Sequence, residues 1–336
     1  MIKIVNIRDI AKRAQVSVAT VSHVINKTRR VSDELIGRVE KAMSDLDYQP
    51  NLLAGSLRSK KSSTIGLIIP DSSNMLFSGV EKNIEDILFS QNYNVIVCNS
   101  AYDVSRELEQ LNTLRSKMVD GIIIVPANMD GNYLKKFKSV GIPIIILDRM
   151  IPDINVDTVL VDNYKGGYDA AEYLISLGHT DIGYIDRISD HSHSLERKKG
   201  FFKAFEEKSL SFDANNIVRG GFTFNVGVEA VKKLLKRNSK ITAIFTFNDI
   251  NAFGVIRGLA DLGLKVPEDI SVIGFDDTPL SEIYIPRLTT IRYPIVEVAN
   301  VVSKLLLKRI AEPGFKKAVK KIIPTELIIR ESTRSK

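Results

Sequence analysis

The chain has 336 residues, enough for two or three compact units, with 44% apolar and 26% charged residues, the mixture of an ordinary soluble globular protein. No apolar run reaches the roughly 18 residues that a membrane helix needs, which argues against a membrane partner. The formal net charge is +7, and lysine and arginine are dense in residues 1–61, which favours a polyanionic partner.

The sequence predicts a cytoplasmic protein. Cys98 is the single cysteine, so an internal disulfide is excluded, and its apolar setting, NVIVC, predicts a buried small hydrophobe. Lys3, Arg8 and Asp9 interrupt the apolar residues at the N-terminus, which is not the pattern of a signal peptide. We expect no cofactor and no metal site.

Residues 6–26, NIRDIAKRAQVSVATVSHVIN, predict two short helices joined by a tight turn. Asn6 can cap the first helix, with Asp9 at its third position, and Ser17 can cap the second. Spacing alone fits any helical hairpin as well as a DNA-binding helix-turn-helix, whose second helix enters the major groove. The residues that face outward at the start of the second helix are Val18, Ala19, Ser22 and His23.

The residue sequence of this segment is more specific than the spacing of its apolar residues. DIAKRAQVSVATVSHVIN resembles the DNA-binding signature of the LacI/GalR family of bacterial transcription repressors. The resemblance implies a homodimer, or a dimer of dimers, on a pseudo-palindromic operator in double-stranded DNA. Val18 and Ala19 should contact thymine methyl groups, and His23 can donate to a guanine edge. We also place on the DNA Asn6 and Ser17, and Thr20, Ser22 and Asn26 as phosphate contacts.

A third helix, which Ser32 can cap, completes a predicted DNA-binding domain over residues 1–49, and residues 50–62 follow as a basic segment. On composition this segment is a flexible linker, but YQPNLLAGSLRSKKSST is similar to the family's hinge helix, YxPNxxAxxLxxxxS. The resemblance implies that hinge helices of two protomers pair in the minor groove and that Leu57 wedges into a base step, with Asn51 and Arg58 beside it. Gly55 favours a helix that forms only on DNA.

From Ser63 onward short β-branched runs alternate with amphipathic helices, which predicts parallel sheets with helices on both faces. More than 250 such residues suggest two α/β lobes, an architecture that resembles periplasmic sugar-binding proteins and that the family's core shares. The resemblance implies three crossings between the lobes, with an N-lobe of about 63–162 and 293–320 and a C-lobe of about 163–290 and 321–331. The predicted strands are Ile65–Ile69, Asn94–Cys98, Gly121–Val125, Pro143–Leu147, Thr158–Val161, Ile182–Ile185, Ala243–Thr246 and Ser271–Gly274.

Polar and aromatic residues recur where these strands end, which is where α/β folds bind ligands. Carboxylate, amide and guanidinium groups can bond adjacent sugar hydroxyls in pairs, and a phenyl ring can stack on a sugar's apolar face. The motif LDR at 147–149 is similar to ribose- and galactose-type binding proteins, which favours a sugar or sugar phosphate. Leu76 stands where purine-binding relatives place an aromatic residue. The expected effector contacts are Phe77, Asp148, Arg149, Arg197, Phe222, Asn248 and Asp276.

Catalysis is the weaker alternative, because the sequence has no P-loop, nucleophile elbow or GxGxxG motif. Asp276 and Asp277 are adjacent on a strand and should point opposite ways. His191 and His193 have metal-ligand spacing but no further partners, so we expect a mobile loop. Residues 166–167, both glycine, could seat a phosphate at a helix start or allow tight packing.

Two further alternatives stay open for the function. One is a pure cytoplasmic sugar-binding protein, which the first 60 residues argue against. The other is a family member controlled by a phosphoprotein instead of a small molecule. The C-terminus, IIRESTRSK, lacks a leucine heptad, which argues against a coiled-coil tetramer.

Overall fold

A computed structural model describes residues 5–26, 28–48, 61–138, 141–152, 154–187, 192–221, 223–312, 314 and 317–336. The chain divides into two compact units, Met1–Ser62 and Ser63–Lys336.

The described residues of the first unit form three helices, α1 (Ile7–Ala14), α2 (Val18–Asn26) and α3 (Asp33–Asp45). Asn6 caps α1 as predicted: its side chain accepts from the Arg8 amide at 2.9 Å, while its own amide donates to the Asp9 carboxylate at 2.9 Å. The turn to α2 passes through Gln15 in a left-handed conformation, φ +53°. The small buried core consists of Ile10, Ala11, Ala14, Val21, Val39 and Ala42.

Some of the basic residues in this unit stabilise its fold. The Arg38 guanidinium donates to the Ala14 carbonyl at 2.7 and 3.1 Å and to the Gln15 carbonyl at 3.0 Å, which satisfies the end of α1. Arg13 pairs with Asp45 at 2.6 Å. Ser32 precedes α3 as expected, but its side chain makes no capping hydrogen bond, unlike the cap that we predicted.

In the second unit, the part of the chain that the structure describes forms two six-stranded sheets. Their central strands are almost continuous runs of buried isoleucine, leucine, valine and phenylalanine, the pattern of parallel strands that are covered on both faces. The strands are β1 (Thr64–Ile69), β2 (Asn94–Asn99), β3 (Gly121–Ile124), β4 (Ile144–Leu147), β5 (Asp157–Val161), β6 (Ile182–Arg187), β7 (Ile217–Gly220), β8 (Ala243–Thr246), β9 (Ser271–Asp276), β10 (Thr289–Arg292), β11 (Lys320–Ile323) and β12 (Glu326–Ile328).

The strand order is β11-β5-β4-β3-β1-β2 in the first sheet and β12-β10-β9-β8-β6-β7 in the second. All pairs are parallel except β10 with β12. Each sheet with its helices forms one lobe. The helices of this unit are α4 (Met75–Ser90), α5 (Val104–Ser116), α6 (Asn132–Lys138), α7 (Asn163–Ser176), α8 (Ser192–Glu207), α9 (Phe224–Arg237), α10 (Asp249–Asp261), α11 (Leu280–Ile283) and α12 (Ile295–Ala311).

The eight predicted strands are all present, and β7, β10, β11 and β12 were not predicted. The chain crosses between the sheets after β5, after β10 and after β11, as the resemblance implied. Two lobe boundaries differ from the expected ones. Because β10 pairs with β9, the second lobe extends to residue 292 rather than 290. Because β11 pairs with β5, the first lobe extends to residue 323 rather than 320.

Candidate functional site

The exposed start of α2 carries the residues expected to contact bases. Val18 is 43% exposed, and Ala19 beside it is exposed as well. Ser17 caps the helix, since its hydroxyl accepts from the Thr20 amide at 3.0 Å and lies 2.9 Å from the Thr20 hydroxyl. This hydrogen bonding fixes the first turn of α2. Val18 and Ala19 form an exposed apolar surface at the start of the helix.

Other predicted DNA contacts already have partners within the unit. The Nδ1 atom of His23 lies 2.8 Å from the Thr28 hydroxyl, so Nε2 is the ring nitrogen that can address a base edge. The Asn26 amide donates to the Ser22 carbonyl at 2.8 Å and to its hydroxyl at 3.2 Å. Asn51, Leu57 and Arg58, which we place on the minor groove, lie outside the described residues, as does most of the predicted hinge.

A cavity lies between the two sheets of the second unit, where strands from both lobes end. Its free volume is about 30 Å³, which is more than the roughly 10–15 Å³ that one water molecule needs and far less than the roughly 300–1,000 Å³ of a typical ligand pocket. Six of the seven predicted effector contacts line it, and the seventh, Phe222, lies outside the described residues. The lining residues are Asn74, Leu76, Phe77, Tyr102, Asp148, Arg149, Arg187, His193, Arg197, Phe247, Asn248, Asp276 and Tyr293.

Unusual backbone conformations occur at the two aspartates that line the cavity among the described residues. Asp148 follows β4 and has φ +59°, and Asp276 ends β9 and has φ +121°. Residues other than glycine rarely adopt such angles, and they cluster at functional sites. The backbone therefore turns sharply at both positions, where the carboxylates reach the cleft.

Arg149 and Asp148 form a buried ion pair across adjacent residues. The Arg149 Nη1 atom donates to the Asp148 carboxylate and also to its carbonyl, the latter at 2.9 Å. The Arg149 side chain is almost completely buried, and within the described residues its Nε atom has no hydrogen-bond acceptor. This N–H group can therefore donate to a ligand oxygen.

Arg197 is buried among neutral hydrogen-bond partners. Its guanidinium lies 3.2 Å from the Phe275 ring centre, donates to Asn163 Oδ1 at 2.8 Å and donates to the Phe247 carbonyl. Within the described residues no carboxylate lies within 4.0 Å of it, and its Nε atom has no acceptor. A buried cation with neutral partners is well suited to bind hydroxyl or anionic oxygens.

Asp276 has a raised affinity for its proton. Burial raises the pKa of this carboxyl well above its usual range, the negative charge of Asp249 raises it further, and the positive charge of Arg197 opposes the rise. The group can therefore donate or accept a hydrogen bond, depending on its protonation.

Arg187 lines the cavity and was not predicted from the sequence. It is 7% exposed, its guanidinium lies 5.0 Å from the Tyr102 ring centre, and its Nη1 atom donates to His193 Nε2 at 3.4 Å. His193 was expected on a mobile loop, but it is buried in the first turn of α8, so that prediction was wrong. His191 lies outside the described residues.

The lobes touch each other beside the cavity. Tyr102 belongs to the first lobe and Arg187 to the second, so their stacking bridges the cleft. The Met150 amide of the first lobe also donates to the Ser192 hydroxyl at 2.8 Å, at the start of α8. These contacts hold the cleft closed. They would have to break for the cleft to open and a ligand to enter.

Two family models match the chain. Bacterial regulatory proteins of the lacI family match residues 6–51, and a periplasmic binding protein-like domain matches residues 171–333. The HTH-type transcriptional regulator DegA of Bacillus subtilis (strain 168) is 38% identical over 331 residues, 97% of this chain and 97% of that protein. The chain belongs to the lacI family of bacterial regulatory proteins. It is therefore a helix-turn-helix regulator of transcription, as the sequence predicted.

Solved structures of the lacI family have the same fold. The lac repressor dimer bound to operator and the anti-inducer ONPF has 26% identity and a TM-score of 0.88, covering 99% of this chain and 100% of that one. A LacI family regulator from Enterococcus faecium with bound ribose has 34% identity and a TM-score of 0.74, covering 81% of this chain and 99% of that one. Both the headpiece and the two-lobed core predicted from the sequence are confirmed.

Gly167 of this lacI-family chain, together with Gly200, lets two helices pack closely. A methyl group on Gly167 would lie 1.9 Å from the Arg197 carbonyl oxygen, and one on Gly200 would lie 1.9 Å from the Tyr164 carbonyl oxygen. Helices α7 and α8 thus cross in backbone contact. Of the two alternatives for residues 166–167, this geometry supports tight packing.

The adjacent carboxylates Asp276 and Asp277 do not share a site. Asp276 faces the cavity, whereas Asp277 pairs with Arg292 at 2.8 Å and with Arg330 at 2.7 Å. The predicted opposite orientation is confirmed, and the two groups are not arranged as a catalytic pair. Among the described residues no cluster of three histidine, cysteine or acidic side chains could hold a metal ion, and no helix is long and apolar enough to span a membrane.

Proposed function

We propose that this chain is a transcriptional repressor that binds a pseudo-palindromic operator as a homodimer and whose operator affinity changes when a sugar occupies the cavity between its lobes. It acts by binding and not by catalysis, and it works in the cytoplasm, where its DNA lies. The observation that carries the proposal is the buried arginine–carboxylate set between the lobes of a chain that also has a helix-turn-helix unit.

The polar groups of the cavity support a polyhydroxylated ligand. Asp148 and Asp276 supply acceptors from opposite lobes, Arg149 and Arg197 supply buried donors, and Phe77 supplies an apolar wall. Asn248 caps α10 through its Oδ1 atom, which accepts from the Asn251 amide at 2.9 Å, so its amide group remains for the ligand. Paired planar groups on both lobes suit adjacent hydroxyls. The ribose-bound relative from Enterococcus faecium agrees with this class of ligand.

The coupling between the cavity and the DNA follows from closure of the lobes. A ligand that touches both lobes binds the closed form more tightly than the open form, so it shifts the population of the two. If only one form lets two hinge segments pair on the minor groove, the ligand changes operator affinity by the ratio of its own affinities for the two forms.

The test is DNA binding by the full chain, measured by fluorescence anisotropy with palindromic and random duplexes. We expect a preference for a palindromic duplex and a change of at least about fivefold in its affinity on adding one sugar from a panel of pentoses, hexoses and their phosphates. Deletion of Met1–Ser62 should abolish the preference. The proposal fails if the full chain binds palindromic and random DNA equally with and without sugars. A response that appears only with a phosphoprotein would favour the alternative effector.

Substitution of Leu57 by alanine should weaken specific operator binding by about 1–3 kcal/mol and reduce DNA bending, because an apolar wedge in the minor groove is removed. Circular-permutation gel shifts measure the bend, and anisotropy measures the affinity. Binding to random DNA, which depends on phosphate contacts, serves as the internal control and should not change. Unaltered bending and affinity would contradict the role of Leu57 and of the hinge.

A further inference from the structure

A further buried carboxylate, Asp249, lies near Asp276 but does not line the cavity. Asp249 is the first residue of α10 and is completely buried. Its Oδ2 atom accepts from the Thr278 amide at 2.8 Å, from the Thr278 hydroxyl at 3.2 Å and from the Ser281 hydroxyl at 2.7 Å. Its Oδ1 atom accepts from the Thr290 hydroxyl at 2.5 Å. All four donors are neutral, and they satisfy a carboxylate whose burial would otherwise be costly.

The donors to Asp249 come from separate segments of the second lobe. Thr290 is on β10, Ser281 is on α11, and Thr278 lies in the connection between β9 and α11. Gly274 on β9 leaves room for the carboxylate, because a methyl group there would lie 2.3 Å from Asp249 Oδ1. Asp249 therefore ties the start of α10 to the segment that leaves the carboxyl end of β9.

That segment begins with two residues in an unfavourable backbone conformation. Asp276 and Asp277 have φ angles of +121° and +56°, which residues with a Cβ atom rarely adopt. Before the turn, the Tyr293 amide donates to the Asp276 carbonyl at 3.1 Å. After the turn, both the amide and the hydroxyl of Thr278 are held by Asp249. Such conformations persist only where the surrounding structure holds them.

Asp249 and Asp276 also act on each other through their charges. Burial raises the pKa of Asp276, the negative charges of Asp249 and Asp148 raise it further, and the positive charge of Arg197 opposes the rise. Burial raises the pKa of Asp249 to about 6, the hydrogen bonds that it accepts oppose the rise, and the negative charge of Asp277 adds to it. The two carboxylates are therefore close enough for one to influence the protonation of the other.

We infer that Asp249 is the positioning residue for Asp276: by holding Thr278 and α11 it fixes the left-handed turn from which the Asp276 carboxylate enters the cavity. Binding groups must be held to within about 0.5 Å by packing and hydrogen bonds if they are to select a ligand. Asp249 does this from outside the cavity, without contact to the ligand. The inference rests on the proposed function, because Asp276 needs a fixed position only if a sugar binds to it.

Hydrogen exchange of the full chain, followed by mass spectrometry, tests the hold on the turn without a ligand. In Asp249→Ala the amides of residues 276–284 should exchange about tenfold or more faster, because the Thr278 amide loses its acceptor. In Asp249→Asn they should exchange as in the unsubstituted chain, since the amide oxygen can replace Oδ2 while Nδ2 donates to the Thr290 hydroxyl. The matched control is Asp261→Ala, which removes a negative charge and an exposed ion pair from the other end of α10 and should change nothing in this segment.

Isothermal titration with D-ribose, D-glucose and their phosphates tests the consequence for binding. Asp249→Ala should weaken the affinity for any of these sugars that binds the unsubstituted chain by about tenfold or more, the scale of a lost buried hydrogen bond. Asp249→Asn should restore the affinity to within about threefold, and Asp261→Ala should not lower it by more than that.

The titration of Asp276, followed by ¹³C NMR of the full chain labelled at the aspartate carboxyl carbons, is a measurement that a general loss of packing would not reproduce. In Asp249→Asn the pKa of Asp276 should fall, because the neighbouring negative charge is removed while the turn is kept. In Asp261→Ala the pKa of Asp276 should stay the same.

Three results would overturn the inference and leave the proposed function standing. Unchanged exchange of residues 276–284 in Asp249→Ala shows that the turn does not depend on Asp249. Faster exchange with unaltered sugar affinity shows that the turn does not position Asp276. An unchanged pKa of Asp276 in Asp249→Asn shows that the two carboxylates are not neighbours.

Two further results have defined meanings. If Asp249→Ala does not fold, Ser281→Ala takes its place, since it removes one donor to the same carboxylate, and unchanged exchange in that variant overturns the inference. If none of the sugars binds the unsubstituted chain, the proposed sugar response fails. Hydrogen exchange and the NMR titration then still decide whether Asp249 holds the turn at Asp276.

Discussion

The variant Asp276→Asn should lose its response to ligand and at the same time have a higher melting temperature than the unsubstituted chain. We propose this carboxylate, which lines the cavity, as a ligand acceptor, so its loss should weaken ligand binding by on the order of a hundredfold, the scale of a charge-assisted hydrogen bond. Ionising this buried group in the folded state is costly, and the amide avoids that cost.

The gain in stability should depend on pH in a defined direction. Because the folded chain holds the Asp276 proton more tightly than the unfolded chain, the unsubstituted protein loses stability as the pH rises from about 3.8 through the raised pKa. Asparagine does not titrate. The difference in melting temperature between the two proteins should therefore be small near pH 4 and larger at pH 7 to 8, as measured by thermal denaturation across this range.

The neighbouring carboxylate provides a matched control. Asp277→Asn also removes one negative charge, but it breaks the ion pairs with Arg292 and Arg330 and leaves the cavity intact. We expect this variant to be less stable than the unsubstituted chain and to respond normally to ligand. If Asp276→Asn still changes operator affinity on ligand addition, or if both variants respond alike, Asp276 is not a ligand contact.

Much of the cavity was predictable because parallel strands impose a simple rule. Their carboxyl ends meet at one edge of each sheet, so polar residues that follow buried runs come together in space. Asp148 after β4 and Asp276 at the end of β9 follow this rule, and Asn248 follows β8 in the same way. The central strands were recognisable from their apolar runs, which need no knowledge of the tertiary structure.

The missed residues depend on information that no local pattern contains. Arg187 was overlooked because β6 continues two residues beyond the apolar run that predicted it, into Asp186 and Arg187. Tyr102 meets Arg187 only because the two lobes close on each other. Edge strands such as β11, with the mostly exposed sequence KKII, lack the apolar pattern and are defined by their partner strand.

The variant Gly167→Ala should lower the free energy of unfolding of the second unit by about 3 kcal/mol, the upper end of the cost of overpacking. Its new methyl group would lie 1.9 Å from the carbonyl oxygen of Arg197, which is backbone and cannot rotate away. Helices α7 and α8 must therefore separate. Since the contact is with Arg197 itself, the guanidinium should leave its position over Phe275, and ligand affinity should fall as well. Urea denaturation and isothermal titration measure the two effects.

Two further variants show whether the close crossing of α7 and α8 causes the loss of stability expected for Gly167→Ala. Gly37→Ala adds a methyl group to α3 with no atom within 4 Å, so it should instead stabilise the headpiece by roughly 0.5–1 kcal/mol through helix propensity. Gly200→Ala alone should be as harmful as Gly167→Ala, because it opposes the Tyr164 carbonyl across the same crossing. Once the helices have separated, the second methyl group finds room, so the double variant should cost clearly less than the sum of the single variants. Strict additivity of the two costs would show that the glycines act independently and that the crossing is not a single rigid contact.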